Sequence, residues 1–513
     1  MEVNQFLPPA HRRANILVAL VLGCAAAIAV AAGACSLRWP LVHDPALFHY
    51  IASAVKDGAV PYRDIFDVNF PGTYLVHMFV LSIPGDMDLV WRLFELAILT
   101  ATLLLMATFM GWRKPWSAAA ACIIFALFCL RGGAGMSGQR DMYTVTLEMA
   151  AILSCAWLLE QSALRLRYAV AAGMFFGAAF MIKPFVAPLF AGEMAFVAYW
   201  LRRHGHTIRT MVSVPLAGLV GFSVPVVAAL AWLAAIGGFW PFIDIAVNYM
   251  VPIYSRSGSV SLRHLGHILI SEHPYSLFLL ATLVVGTCTI WSARMNARFG
   301  VLMVAVLGAL AHFFLQRKGW HYHLLPFAAF GSMMCCWPLE QAMQSFNLRW
   351  RSIWISTTML LVVPLAATLA GDAFNTSAWP EHESAAGLSK FLRSQEIADR
   401  SVQVMDTTTG IEALLRAGMK LPTRFMNDFP FFSHDERKPY IAALRKEFLT
   451  KLTERPPRFI VVFEASWGTG GYERIEKFPE LDGWLRRNYV MRNEQNGYRV
   501  FEKSTCQLVA SGL

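Results

Sequence analysis

Between Ile16 and Leu369 the chain alternates apolar runs with short polar breaks. A run of about 18 or more apolar residues is long enough to cross a bilayer as a helix. The pattern predicts about eleven such helices. They lie near Ile16–Ala34, Leu89–Met110, Ser117–Leu130, Met142–Leu159, Tyr168–Ile182, Phe185–Leu201, Met211–Ile236, Tyr275–Trp291, Val301–Leu315, Leu324–Leu339 and Ile353–Leu369. The third is short and is expected to be tilted or extended by its flanks. The fifth and sixth are joined at Lys183-Pro184 with almost no loop between them.

The breaks alternate in character. His11-Arg12-Arg13 precedes the first run, which places the N-terminus in the cytoplasm; a cleaved signal peptide is the rival reading. Counting from there, the cytoplasmic breaks are Arg113-Lys114, Arg165/Arg167, Arg202/Arg203/Arg209, Arg294/Arg298 and Arg349/Arg351, all short and basic. Two long breaks, residues 36–88 and 237–273, fall on the outer side, as does everything after residue 371.

From Asp372 the periodicity changes. Ser401–Met405 and Arg458–Phe463 read as buried strands, Ala385–Gln395 and Glu436–Leu452 as amphipathic helices, and Tyr489–Phe501 as a hairpin turning at Asn496-Gly497. The expected architecture is an α-helical polytopic membrane domain over residues 1–371 followed by a soluble α/β domain over 372–513.

Composition agrees with this division. The chain is 56% hydrophobic and only 15% charged, too apolar for a soluble protein of 513 residues. The formal net charge of +10 would suggest nucleic acid on a soluble chain, but here much of it lies in the short loops of one side. No nucleic-acid partner is expected. Most of the nine cysteines fall inside apolar runs and act as small hydrophobes; only Cys35 and Cys506 are placed for an outer-side disulfide.

Candidate chemistry gathers on the outer side. His43–Tyr74 carries Asp44, Asp57, Asp64 and Asp67, and a long carboxylate-rich loop is the kind that carries function. Asp44, Asp64 and Asp67 are the candidate catalytic carboxylates, as general bases or as ligands of a divalent cation. The alternatives are a helix cap for Asp44, which precedes Pro45, and turn chemistry for Asp64 and Asp67.

Arg63, Arg140, Lys183, Arg256, Arg317 and Lys318 map to outer ends and are candidates for gripping a phosphate, against snorkelling or local pairing, as between Arg140 and Asp141. His43, Tyr62, Asn69, Tyr254, Trp320, His321 and His323 are candidates for contacting a substrate. His321 and His323, two apart, do not share a helix face, so a helical metal pair is not expected. Nucleotide-binding, nucleophile-elbow and zinc-protease motifs are absent, and Glu148, Arg92 and Glu95 are the main charges inside the runs.

The loop from Asp44 to PYRDIFDVNFPGTY resembles the polytopic GT-C glycosyltransferases that use lipid-phosphosugars. The closer likeness is to the bacterial branch related to protein mannosyltransferases and to the aminoarabinose transferase of lipid A. GQRDMYT, MIKPF and KGWHYHLLP are similar to the same branch. The resemblance implies an inner-membrane enzyme with an active site facing the periplasm. It implies a polyprenyl-phosphate sugar as donor, an acceptor lipid, glycan or protein, and inversion at C1. It carries the family's loop aspartate onto Asp44 and its phosphate-binding cations onto Lys183, Arg140 and Arg317. Relatives often have Asp-Glu at the loop acid; here the residues are His43-Asp44-Pro45, with no second acid alongside. No cofactor is implied beyond a divalent cation, which is left open. The competing classes are a flippase of lipid-linked sugars, which predicts internal pseudo-symmetry, and a non-catalytic envelope-assembly factor.

Overall fold

In the computed structural model the described residues are 9–161, 164–291, 295–345, 347–372, 380–432, 438–464, 470–495 and 497–504. They form a mostly helical, multi-pass membrane protein with one small mixed sheet. Among them seven helices are long and apolar enough to cross a membrane: Ala14–Arg38, Met87–Met110, Arg140–Glu160, Pro184–Arg203, Ile208–Ala235, Ala297–Gln316 and Leu348–Ala370. Leu262–Ser271 and Tyr275–Ile290, bent by 85° at their junction, make an eighth if they count as one span. The third, fifth and tenth expected spans are helices too short to pass by length: Pro115–Leu130, Leu166–Ile182 and Leu325–Cys336.

Local chemistry sets the ends of these helices. Asp86 accepts from Leu89 N and Asn296 from Phe299 N, which caps the Met87–Met110 and Ala297–Gln316 helices. Pro115 opens the Pro115–Leu130 helix, where its missing N–H is no loss. Gly111, at φ 90°, ends the Met87–Met110 helix in a conformation most side chains avoid.

The chain divides into two compact units that do not follow its linear order. The first unit comprises residues 1–39, 85–229 and 259–377 and holds most of the apolar helices. Arg140–Glu160 is central to it, with 72% of its apolar window buried, against 22% for Ile208–Ala235. The latter exposes Leu216, Leu219, Val220, Val224 and Val227, a surface that lipid would cover. Close helix contact there depends on small residues: a Cβ on Gly173 would come within 1.9 Å of the Gly218 carbonyl oxygen.

The second unit gathers residues 40–84, 230–258 and 378–513. Its sheet has the order β1-β2-β4-β3, with β1 Val402–Met405, β2 Phe459–Phe463, β3 Tyr489–Gln495 and β4 Tyr498–Lys503. β1 and β2 are parallel and fully buried, and β3 and β4 form the expected hairpin. The expected hairpin residue Asn496 lies outside the described residues, as does Cys506. The tail helices include Pro380–Arg393 and Pro439–Glu454, with Thr409–Ala417 and Pro479–Asn488, which the pattern did not predict.

Residues 237–273 are not a long loop. They fold as Phe239–Ile245, a π-helical stretch Ala246–Tyr254 and Leu262–Ser271. Their apolar residues are spaced for short helices, a period too brief to stand out as a span.

The first loop is locked to the tail by main-chain groups. Phe66 N donates to Arg424 O (2.7 Å), Leu421 N to the Tyr50 hydroxyl (3.0 Å) and Arg416 Nη2 to Leu41 O (3.0 Å). An exposed loop would leave such groups to water; here they are satisfied by protein, which fixes the loop's shape.

Candidate active site

The second unit holds the predicted carboxylates. The helix His43–Lys56 places Asp44 in its first turn, where the helix dipole favours a negative charge. His43 sits at the start of this helix with φ 62°, a left-handed conformation uncommon outside glycine. Its Nδ1 is 3.8 Å from Asp44 Oδ1, and both side chains are partly exposed, at 39% and 25%. Burial disfavours charge on His43. The adjacent Asp44 carboxylate, with smaller contributions from Glu381 and Asp406 of the tail, outweighs burial and raises its proton affinity above the ordinary imidazole value.

The other two loop acids are engaged within the loop. Asp64 accepts from Arg63 Nε (2.9 Å) and Nη2 (2.7 Å), and from Val60 N (2.8 Å). The Arg63 hydrogen bonds hold this carboxyl below the usual range. Asp67 is buried; it accepts from the Tyr74 hydroxyl (2.5 Å) and from Asn69 Nδ2 (3.0 and 2.9 Å). Tyr62, at φ 68° and fully buried, donates to Asn69 O (2.6 Å). Asp67, Asn69, Tyr62 and Tyr74 therefore form a buried knot that sets the loop's course. Tyr254 is half-buried, its ring 5.8 Å from Phe429, and Arg256 is exposed just beyond it.

In the first unit the cations are placed differently. Lys183 Nζ donates to both oxygens of Asp141 (2.7 and 2.6 Å), with the lysine 4% and the aspartate 0% exposed. His312 Nε2 lies 3.2 Å from Asp141 Oδ1, and the Lys183 ammonium sits 5.6 Å from the Tyr322 ring centre. The sequence offered Arg140 as the neighbour of Asp141. In the structure, Lys183, 42 residues away, takes both of its oxygens.

His323 is buried, its ring edge-on to Tyr322 and tilted against Trp320. His321 is exposed, its Nδ1 3.5 Å from Glu272. Arg317 is exposed in a left-handed conformation, its Nη2 3.5 Å from Val260 O. Burial pushes the Lys318 amine down to about 8. Arg92 pairs with Glu95 and reaches Ser137 and the Ser36 hydroxyl, and Glu148 Oε2 is buried with no hydrogen-bond partner among the described residues.

Sequence reasoning named Asp141 only as a partner for Arg140, and missed His312. The available signal was charge balance: a lysine joining two apolar helices needs an acid within reach. Among the described residues no group of three or more His, Cys, Asp or Glu side chains is arranged to hold a metal ion.

No family profile and no curated protein sequence matches the chain. Solved structures do. ArnT from Cupriavidus metallidurans, bound to undecaprenyl phosphate, aligns with a TM-score of 0.59 at 12% identity, covering 94% of this chain and 97% of that one. Its apo form aligns at 0.60 and 13%, covering 96% and 99%. The fold is that of the GT-C membrane glycosyltransferases. The oligosaccharyltransferase of Archaeoglobus fulgidus, tethered to an acceptor peptide, shares it more distantly, at 0.51 and 10% over 94% of this chain and 74% of its own. A GT-C likeness at such low identity speaks for the arrangement of helices and tail and leaves the chemistry to be argued from side chains.

Proposed function

We propose that the protein is a GT-C glycosyltransferase of the bacterial inner membrane. It moves a sugar from a polyprenyl-phosphate donor to a lipid, glycan or protein acceptor at the periplasmic face. The observation that carries this reading is the fold likeness over nearly the whole chain to ArnT, one structure of which holds undecaprenyl phosphate. The loop acid supports it: Asp44 is partly open to solvent at a helix N-terminus, whereas Asp67 is enclosed and Asp64 is held by Arg63.

In this reaction the acceptor oxygen forms a bond to the sugar C1 as the bond from C1 to the phosphate oxygen breaks, and the electron pair leaves on the phosphate. Asp44 takes the acceptor's proton. Cations stabilise the departing phosphate as its charge grows. Arg63, Arg256, Arg317, Arg140 and Lys318 are the candidates. Lys183 is the least available, because a phosphate would have to displace Asp141 to reach it. His43 flanks Asp44, and Tyr254, Trp320 and His321 are the substrate-contact candidates with exposed atoms.

The test is mass spectrometry of envelope lipids and glycans from a deletion strain complemented with wild type or Asp44→Asn. The expected result is loss of one sugar modification and accumulation of its carrier-linked form, restored by wild type alone. Full restoration by the variant would remove Asp44 from the mechanism.

A further inference from the structure

The helix Leu262–Ser271 of the first unit presents three different faces. With about 100° of rotation per residue, Leu265, Ile268 and Leu269 fall on one side, and all three are buried. Next to them Leu262, Gly266 and Ile270 form a second stripe. Leu262 is 59% exposed and Ile270 69%, and a Cβ on Gly266 would meet nothing within 4 Å. The third side carries Arg263, His264 and His267, all exposed. An apolar stripe left open beside a basic one is a liability in water. At a lipid surface both stripes have partners: the apolar groups reach acyl chains and the cations reach headgroups.

The direction of the helix agrees. It meets the apolar helix Tyr275–Ile290 at 85°. That longer helix exposes Leu280 and Leu283, a side that lipid would cover. A helix set so nearly square to a membrane-crossing one lies along the bilayer surface. The joint between them is held by protein groups: His321 Nδ1 sits 3.5 Å from Glu272 Oε2, and His273 Nε2 lies 3.1 Å from Leu360 O. At the other end Val260 N donates to Arg317 O (2.7 Å), and the Ser261 hydroxyl caps the helix by accepting from His264 N (3.2 Å).

The charge is one-sided as well. No acid occurs from Ser255 to Ser271. Arg263 has no ion pair among the described residues, and Glu272, at the far end, faces His321. Arg317 is exposed with its Nη2 3.5 Å from Val260 O, which brings a second guanidinium to the start of the helix.

We propose that Leu262–Ser271 is a docking site for anionic phospholipid, with Arg263 and Arg317 on the headgroup phosphates and Leu262 and Ile270 among the acyl chains. Guanidinium grips phosphate through paired hydrogen bonds. A zwitterionic headgroup brings its own cation against the arginines, so the site prefers a lipid of net negative charge. Arg317, one of the cations considered above for the donor phosphate, then serves the bilayer instead. The site stands whether or not the protein transfers sugar.

The test uses the full-length protein in nanodiscs of equal parts phosphatidylglycerol and phosphatidylcholine. Benzoylphenylalanine in place of Ile270 is photolysed, and the lipid attached to its peptide is identified by mass spectrometry. The same label in place of Leu262 reads the stripe independently, and one in place of the exposed Leu219 reports the bulk bilayer. Both stripe positions should yield lipid adducts with phosphatidylglycerol enriched about five-fold or more over the Leu219 ratio, from a gain of that order per arginine near an anionic surface. The enrichment should fall in Arg263→Gln and vanish in Arg263→Gln/Arg317→Gln. An unchanged unfolding temperature in detergent shows that these exposed changes leave the fold in place.

Adducts to protein instead of lipid at both stripe positions overturn the proposal and make the stripe a protein interface. A wild-type ratio equal to that at Leu219 overturns it too, since the helix would then lie in lipid without choosing it. An enrichment that survives the double substitution removes the arginines as its cause and overturns the site as described.

Discussion

Two charged clusters of this chain, one in each unit, are built in opposite ways. In the helical unit, Lys183, Asp141 and His312 are almost fully buried and bonded to one another, and Arg92 and Glu95 do likewise. In the unit built from the first loop and the tail, His43 and Asp44 lie 3.8 Å apart with a quarter or more of each side chain open to water. Among apolar helices an unpaired charge is expensive, so the first group reads as structure; a carboxylate that reacts must be reachable, which is what the proposed function asks of Asp44.

The largest effect that would test this contrast is on turnover. Asp44→Asn should lower sugar transfer about 10²-fold or more while leaving thermal unfolding of the purified protein in place. A comparable loss of turnover in an Asp67→Asn enzyme of unchanged stability would show that the buried knot also takes part in the chemistry.

Removing one member of the buried pair should have the reverse signature. Lys183→Met leaves Asp141 as an uncompensated charge and should cost about 3–5 kcal/mol of stability. Lys183→Met combined with Asp141→Leu should recover most of it. If instead the single variant unfolds normally and loses only affinity for the lipid donor, Lys183 is a phosphate ligand and the contrast breaks.

Packing in the helical unit offers a control with no charge involved. A valine at Gly173 would press on the Gly218 carbonyl and should cost about 1–3 kcal/mol by overpacking, visible as a lower unfolding temperature in detergent. The smallest effect is expected for Arg63→Ala. Its pair with Asp64 is half exposed, so stability should change by less than about 1 kcal/mol. A raised KM for the donor with kcat unchanged would then mark Arg63 as a binding cation in its own right.

The stability of the tail should also depend on pH. Burial raises the Asp406 carboxyl to about 6, above its unfolded value, so the folded state holds the proton more tightly. Stability should therefore fall as pH rises from about 4 to about 6 and level off above that, and Asp406→Asn should flatten this slope. Unfolding midpoints measured across that range check it.

Much of the architecture was open to reading before any coordinates. Apolar runs bounded by arginines announced the helices because lipid tolerates little else, and Val402–Met405 and Phe459–Phe463 announced the strands because buried β segments are continuous and branched. The short helices at 239–254 and 262–271 went unseen because a turn or two of helix carries too few periods to separate from a loop. The helix that begins beside Asp44 was legible from Asp44-Pro45. Asp67 and Tyr62 were legible only as polar loop residues, and their burial in a mutual knot is a tertiary fact.

The order of residues determined that this chain is a membrane protein with a soluble tail and an acid-rich loop, since solvent partition acts on local composition and needs no partner. Which acid meets which base was decided only by folding. Asp141 is 42 residues from Lys183 and 171 from His312. Charge acts through space over a few ångströms, and distances along the chain do not encode it.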